Sequence, residues 1–129
     1  MIQRGTRLIV CDGSGGLSFY TFQIYRRRTG RTGSIVRGSL RSVVKYKVHK
    51  HVDRTFDPIV RGGKVFGIIN ETRYPIRFSD GTTIRFTRNT CALAYNRNLK
   101  FISKSGVFDG ISTRLSGSLT HIMRYRMCI

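Results

Sequence analysis

Residues 63–95 read GKVFGIINETRYPIRFSDGTTIRFTRNTCALAY. Apolar, β-branched and aromatic residues come there in short runs, broken by Asn, Asp, Gly and Pro. That spacing predicts strands near 63–70, 73–79, 83–88 and 90–95. Ile76-Arg77-Phe78 and Ile84-Arg85-Phe86 flank Ser79-Asp80-Gly81-Thr82-Thr83, which is a hairpin pattern. A two-residue turn would set Arg77 against Ile84 and mix the two faces. A three-residue loop centred on Gly81 instead opposes Arg77 to Arg85 and Ile76 to Phe86. Like charges face to face cost stability in isolation. An anion between them would turn that cost into binding.

Upstream, the same reading predicts strands near 6–11, 17–26 and 34–48, with Gly13, Gly15, Gly16 and residues 29–33 as breaks. Over 34–52 a partial alternation puts Val44, Tyr46, Val48 and Val52 on one side. Lys45, Lys47, His49 and His51 fall on the other, so one face joins a core and the other meets solvent or phosphate. Helix signals are confined to residues 112–115 and 119–125. No repeat or low-complexity tract interrupts the pattern. The fold class is mainly β, with the strand lengths of small barrels and sandwiches.

The chain has 129 residues, the size of a single domain spanning 1–129. Lys and Arg number 24 against 6 Asp and Glu, a net charge of +18. Self-repulsion of that size calls for a polyanion. At 40% hydrophobic the chain is not simply disordered. Its apolar runs, such as Leu8 to Cys11, are far too short to span a membrane. Nucleic acid is the expected partner, because Arg exceeds Lys and guanidinium offers phosphate a planar fork of donors. Cys11, Cys91 and Cys128 are odd in number and widely spaced, which excludes a full disulfide framework and favours a reducing compartment. Cys11 and Cys91 lie in apolar strand contexts and are expected as buried small hydrophobes. The start of the sequence shows no signal peptide or presequence pattern.

Basic residues form three sets. Arg26, Arg27, Arg28 and Arg31 crowd a Gly-containing loop, where small residues let backbone approach phosphate. Lys45, Lys47, Lys50 and Arg54 form a second set and Arg73, Arg77, Arg85 and Arg88 a third, with Lys64 and Asn89 as further RNA-binding candidates. The plain alternative is a solvated charge run. Phe19, Tyr20, Tyr25, Tyr46, Tyr74, Phe78 and Phe86 interleave with these sets. Some could stack on bases, but alternating strands favour the core for most of them.

Asp12-Gly13-Ser14-Gly15-Gly16 superficially resembles a serine nucleophile motif, but its order is wrong and a Gly/Ser turn is the better reading. His49, His51 and His121 could in principle support RNA cleavage or bind metal. No Cys pair has ligand spacing and acids are scarce, so no metal, cofactor or catalytic site is expected. No phosphate-binding Gly-Lys-Ser/Thr loop exists.

Gly67-Ile68-Ile69-Asn70, then nine residues, Asp80-Gly81, four residues, Phe86, two residues, Asn89 and Ala92-Leu93 resemble the signature of large-subunit ribosomal protein fourteen. Asn70 replaces an expected aliphatic residue and Ala92 an expected Val. Met1-Ile2-Gln3, Thr6, Leu8, Val10 and Asp12 to Gly15 are similar to that family's opening. Arg27-Arg28 with Gly33-Ser34-Ile35-Val36 resembles its basic loop and next strand, and 107–111 its approach to a C-terminal helical part. Residues 46–61 exceed the usual basic linker and are expected to form an extended basic loop or ribbon.

The resemblance implies a five-stranded β-barrel with a protruding β-ribbon and short helical turns over 107–129. It implies a non-catalytic large-subunit component that binds large-subunit rRNA and contacts small-subunit rRNA in an intersubunit bridge. Ribosomal protein nineteen and a ribosome-silencing factor are its implied neighbours. Divergence, three Cys, no Trp and much Phe, Ile and Tyr look like a member made within a mitochondrion. Bacterial cytoplasm and plastid are the alternatives. The rival functions are a free single-strand RNA-binding barrel and a small basic ribonuclease.

Overall fold

The computed structural model of the protein describes residues 1–12, 14–44 and 59–94. In chain order its strands are β1 (Arg7–Val10), β2 (Gly16–Ile24), β3 (Ile35–Val43), β4 (Lys64–Ile69), β5 (Ile76–Arg77), β6 (Thr83–Ile84) and β7 (Thr90–Ala94). Five of them close a barrel in the order β1-β2-β3-β4-β7, while β5 and β6 form a separate two-stranded ribbon. The barrel closes through the one parallel pairing, Ile9 with Thr90 and Val10 with Cys91. The expected mainly β barrel with a ribbon is thus what forms. The expected helical turns and the 46–58 part of the extended loop lie outside the described residues.

Alternation builds the core. Leu8 and Val10 of β1 point inward while Arg7 and Ile9 are exposed. Phe19, Ile24, Val36, Leu40, Val65, Ile69, Cys91 and Leu93 complete the interior, and Ile2 joins them. Phe19 is the largest fully buried side chain. It packs where β3 carries Gly38, and a Cβ there would sit 2.6 Å from the Phe19 ring. β2 holds its register with β3 through irregularities around Ser18 and between Thr21 and Gln23. Such bulges bend a nine-residue strand enough for closure.

Several expectations are corrected. The hairpin loop is three residues long but centred on Asp80. Phe78 N–H donates to Thr82 O at 2.9 Å and Gly81 N–H to Phe78 O at 3.1 Å. Gly81 takes φ +91° at the last loop position, where a type I turn needs a left-handed residue to rejoin the strand. The pairs are therefore Ile76 with Ile84 and Arg77 with Thr83. The register moves by two, so the faces stay separate but Arg77 and Arg85 are not directly opposed.

β5 and β6 are also shorter than expected. Pro75 has no N–H for a ladder, and Arg73 donates through Nε to Thr87 O at 2.9 Å, replacing backbone pairing with a side chain. Val44, expected on the core side, is exposed because β3 ends at Val43. Tyr46, Val48 and Val52 of that pattern lie outside the described residues. Among the singled-out aromatics that are described, only Phe19 is buried. Tyr74 is 52% exposed, and Tyr20, Tyr25, Phe78 and Phe86 are half-buried. Cys91 is buried as expected, whereas Cys11 is only partly so.

Gly38→Ala should therefore cost about 2 kcal/mol, because the new methyl displaces both the Phe19 ring and β2 backbone. Urea denaturation checks this; an unchanged midpoint would mean that Phe19 is not held against Gly38.

Candidate nucleic-acid interface

Asp12, Glu71 and Asp80 are the three carboxylates among the described residues, against fourteen Arg and Lys. All three are engaged inside the fold. Asp12 Oδ2 accepts from Leu93 N–H at 2.6 Å, and Asp12 Oδ1 accepts from the Ser14 amide and hydroxyl. That is the expected Gly/Ser turn, fastened to β7. Asp80 Oδ1 accepts from Thr82 N–H at 2.9 Å and from its hydroxyl at 2.6 Å. These Thr82 bonds hold the Asp80 carboxyl below its ordinary pKa. Buried Glu71 accepts from Thr90 Oγ1 at 3.2 Å and pairs with Arg88 at 3.4 Å. That is the one ion pair among the described residues.

The loop between β2 and β3 carries Arg26, Arg27, Arg28 and Arg31, all exposed. Both of its ends are tied. Arg26 turns the chain out of β2 with φ 65°, and Tyr25 N–H donates to Ile35 O at 3.1 Å. Ile2 and Gly30 exchange two backbone bonds of 2.8 and 2.7 Å, and Gly33 N–H donates to Ile69 O at 2.8 Å. Gly30 is packed so closely between Ile2 and Ile69 that a side chain there would collide. Arg31 lies near the Met1 ammonium, whose pKa is lowered by burial and then by that charge.

The ribbon divides its set. Arg77 and Arg85 are exposed, whereas Arg73 and Asn89 serve the fold: Asn89 Oδ1 accepts from Arg73 N–H at 2.8 Å. Arg88 is the partner of Glu71. Lys45, Lys47, Lys50 and Arg54 lie outside the described residues, as do His49, His51, His121 and Cys128. Burial pushes the Cys91 thiol well up and the Cys11 thiol up, which makes them poor nucleophiles. Among the described residues no cluster of His, Cys, Asp and Glu could hold a metal ion, and no helix is long and apolar enough to cross a membrane.

Sequence reasoning missed a further group on the outside of β2, β3 and β4. The Arg41 guanidinium lies 4.7 Å from the centre of the Tyr20 ring, and that of Arg37 lies 5.3 Å from Phe66. Tyr25 stacks on Phe66 at 6.0 Å. Arg37 Nε is buried with no hydrogen-bond partner. A cavity of about 610 Å³ is lined by Tyr20, Phe22, Ser39, Arg41, Arg61 and Lys64. Of these cations only Lys64 was anticipated. The signal was present in the period-2 placement of Arg37, Ser39 and Arg41, on the opposite face from Val36, Gly38 and Leu40.

The family described as ribosomal protein L14p/L23e matches this chain over residues 1–121. The large ribosomal subunit protein uL14m of Nyctotherus ovalis is 31% identical over 138 residues, covering the whole of both chains.

Arg88→Ala should lower stability by about 1 kcal/mol, since the pair is half-exposed at Arg88 and only the Glu71 side is shielded. Arg77→Ala should change it by less than about 0.5 kcal/mol; equal losses in urea denaturation would reject this division of roles. The Asp80 carboxyl sits below its unfolded value, so its contribution to the ribbon tip is full above the ordinary carboxylate range. That contribution fades as pH falls through the lowered pKa. Amide shifts of Gly81 and Thr82 followed by NMR should titrate there; pH-independent shifts would exclude the coupling.

Proposed function

The chain belongs to the ribosomal protein L14p/L23e family, and from that premise we propose that its cationic outer surface binds large-subunit rRNA and contributes to an intersubunit bridge. The chain is a large-subunit ribosomal protein, structural and not an enzyme. Its uL14m relative is a mitochondrial ribosomal protein, and this chain too is one of the mitochondrial ribosome. RNA and other ribosomal proteins are its partners in that setting. The finer proposal extends to small-subunit rRNA across the bridge, to ribosomal protein nineteen and to a silencing factor.

The observation that carries the rRNA reading is the engagement of every described carboxylate within the fold. With fourteen Arg and Lys against three carboxylates among the described residues, and only Arg88 ion-paired, that surface gains most from a polyanion. The tied loop of Arg26, Arg27, Arg28 and Arg31 supports it further. Anchoring both loop ends limits the freedom lost on binding, so holding phosphates there costs less ordering. Arg77 and Arg85 on the ribbon provide a second set. Arg73, Arg88 and Asn89 act chiefly by holding that ribbon and its flank.

Replacing Arg26, Arg27, Arg28 and Arg31 together by Ala should reduce the salt slope of binding to large-subunit rRNA by roughly 3 to 3.5, at about 0.7 to 0.9 for each of four phosphates no longer neutralised. In sucrose gradients after a moderate-salt wash, the protein should sediment with the large subunit and the variant should shift toward light fractions. An unchanged slope would remove this loop as a phosphate site. A wild-type protein found only in light fractions, with large subunits lacking it, would favour a free RNA-binding barrel.

A further inference from the structure

We propose that the outer face of β2, β3 and β4 is a docking site for unpaired RNA nucleotides, with bases against Tyr20 and Phe22 and phosphates at Arg41, Arg61 and Lys64. This rests on the reading that the chain binds RNA, and names the form of RNA that one face takes.

The placement follows from register. Tyr20 opposes Ser39, and Ser39 opposes Lys64, so one row crosses three strands. Arg41 stands two residues beyond Ser39 on β3 and lies over Tyr20. Arg61 comes from a turn that is stitched to the same strand. Gly62 N–H donates to Leu40 O at 2.7 Å, and Leu40 N–H donates to Gly63 O at 3.0 Å. Gly63 N–H closes the turn on Val60 O at 2.9 Å, with Gly62 at φ +83°, as the third position of a type II turn requires. Phe22, two residues past Tyr20 on β2 with buried Thr21 between them, falls on the same outer face by alternation and joins the lining there. Small Ser39 and Gly62 leave the floor open, and no atom lies within 4 Å of a Cβ placed on Gly62.

Rings and cations together select the ligand. The hollow, of about 610 Å³, lies open to solvent along the sheet, so an extended strand can lie across it. A duplex hides its base faces by stacking them on one another, so it would meet the cations and leave the rings unused. Unpaired bases offer a flat face to aromatic side chains while basic residues track the backbone. The Arg41 guanidinium is already held over a ring, which reduces the ordering needed on binding. The next row of the same face, Arg37 opposite Phe66, repeats the pairing and brings a buried guanidinium donor without an acceptor. An acidic peptide is disfavoured because a closed barrel offers it no open strand edge between β2 and β4.

The test uses the full chain, a labelled twelve-nucleotide oligoadenylate, a twelve-base-pair RNA duplex and polyglutamate. Phe22→Leu keeps apolar volume and loses the ring; it should weaken oligoadenylate binding about tenfold and duplex binding less than twofold. Arg61→Ala, at an exposed turn, should weaken both RNAs and leave the melting temperature unchanged, which guards against a folding defect in the first variant. Equal effects of Phe22→Leu on duplex and oligoadenylate, or none on either, would overturn the docking site while leaving RNA binding by the chain intact. Polyglutamate binding with the same dependence on Phe22 would overturn it in favour of an acidic peptide. Failure of the wild-type chain to bind either RNA would instead sink the underlying RNA-binding reading.

Discussion

The parallel pairing of β1 with β7 is the constraint on which the barrel depends. It joins segments some eighty residues apart, and it is the seam at which the five-stranded sheet closes. Backbone bonds from Ile9 to Asn89 and from Cys11 to Cys91, each 3.0 Å, run along it. Asp12 reinforces the same seam through the Leu93 amide, and the Cys11 thiol through the Cys91 carbonyl at 3.3 Å. Pairings this distant in sequence form only after considerable chain entropy has been given up. The side chains that lock the seam are correspondingly short and local to it.

Closure explains how so cationic a surface can be carried. With the core sealed by Phe19, Leu40, Ile69 and Leu93, the outward positions of β2, β3 and β4 are free of packing duties. They hold Arg37, Arg41 and Lys64, with rings beneath two of them. Each described carboxylate is engaged at a turn, a seam or the ribbon base, where acceptors for backbone or hydroxyl donors are needed. Among the described residues only Arg88 is paired with one of them.

The ribbon shows how near and how far a reading of pattern can reach. Its existence, its loop length and the separation of Ile76 and Ile84 from Arg77 and Arg85 follow from alternation around Asp80-Gly81. Its register does not, because two three-residue loops satisfy the same alternation and differ only in where the left-handed residue falls. Asp80, by capping Thr82, selects the one with Gly81 last. Arg73, Arg88 and Asn89 show the same limit. Their charge or polarity is visible in sequence, but their commitment to Thr87, Glu71 and the Arg73 amide is not.

The sequence by itself determined the mainly β class, most strand positions, the basic loop, the expectation of a polyanionic partner and the family. All of these rest on period-2 alternation, turn chemistry, net charge and motif spacing, which are local or summed properties. Only the tertiary structure decided which strands close the barrel and which arginines are engaged by the fold. It also decided that Tyr20 and Phe22 gather with Arg41, Arg61 and Lys64 on one face. Those outcomes depend on which distant residues become neighbours, and no local property of the chain encodes that.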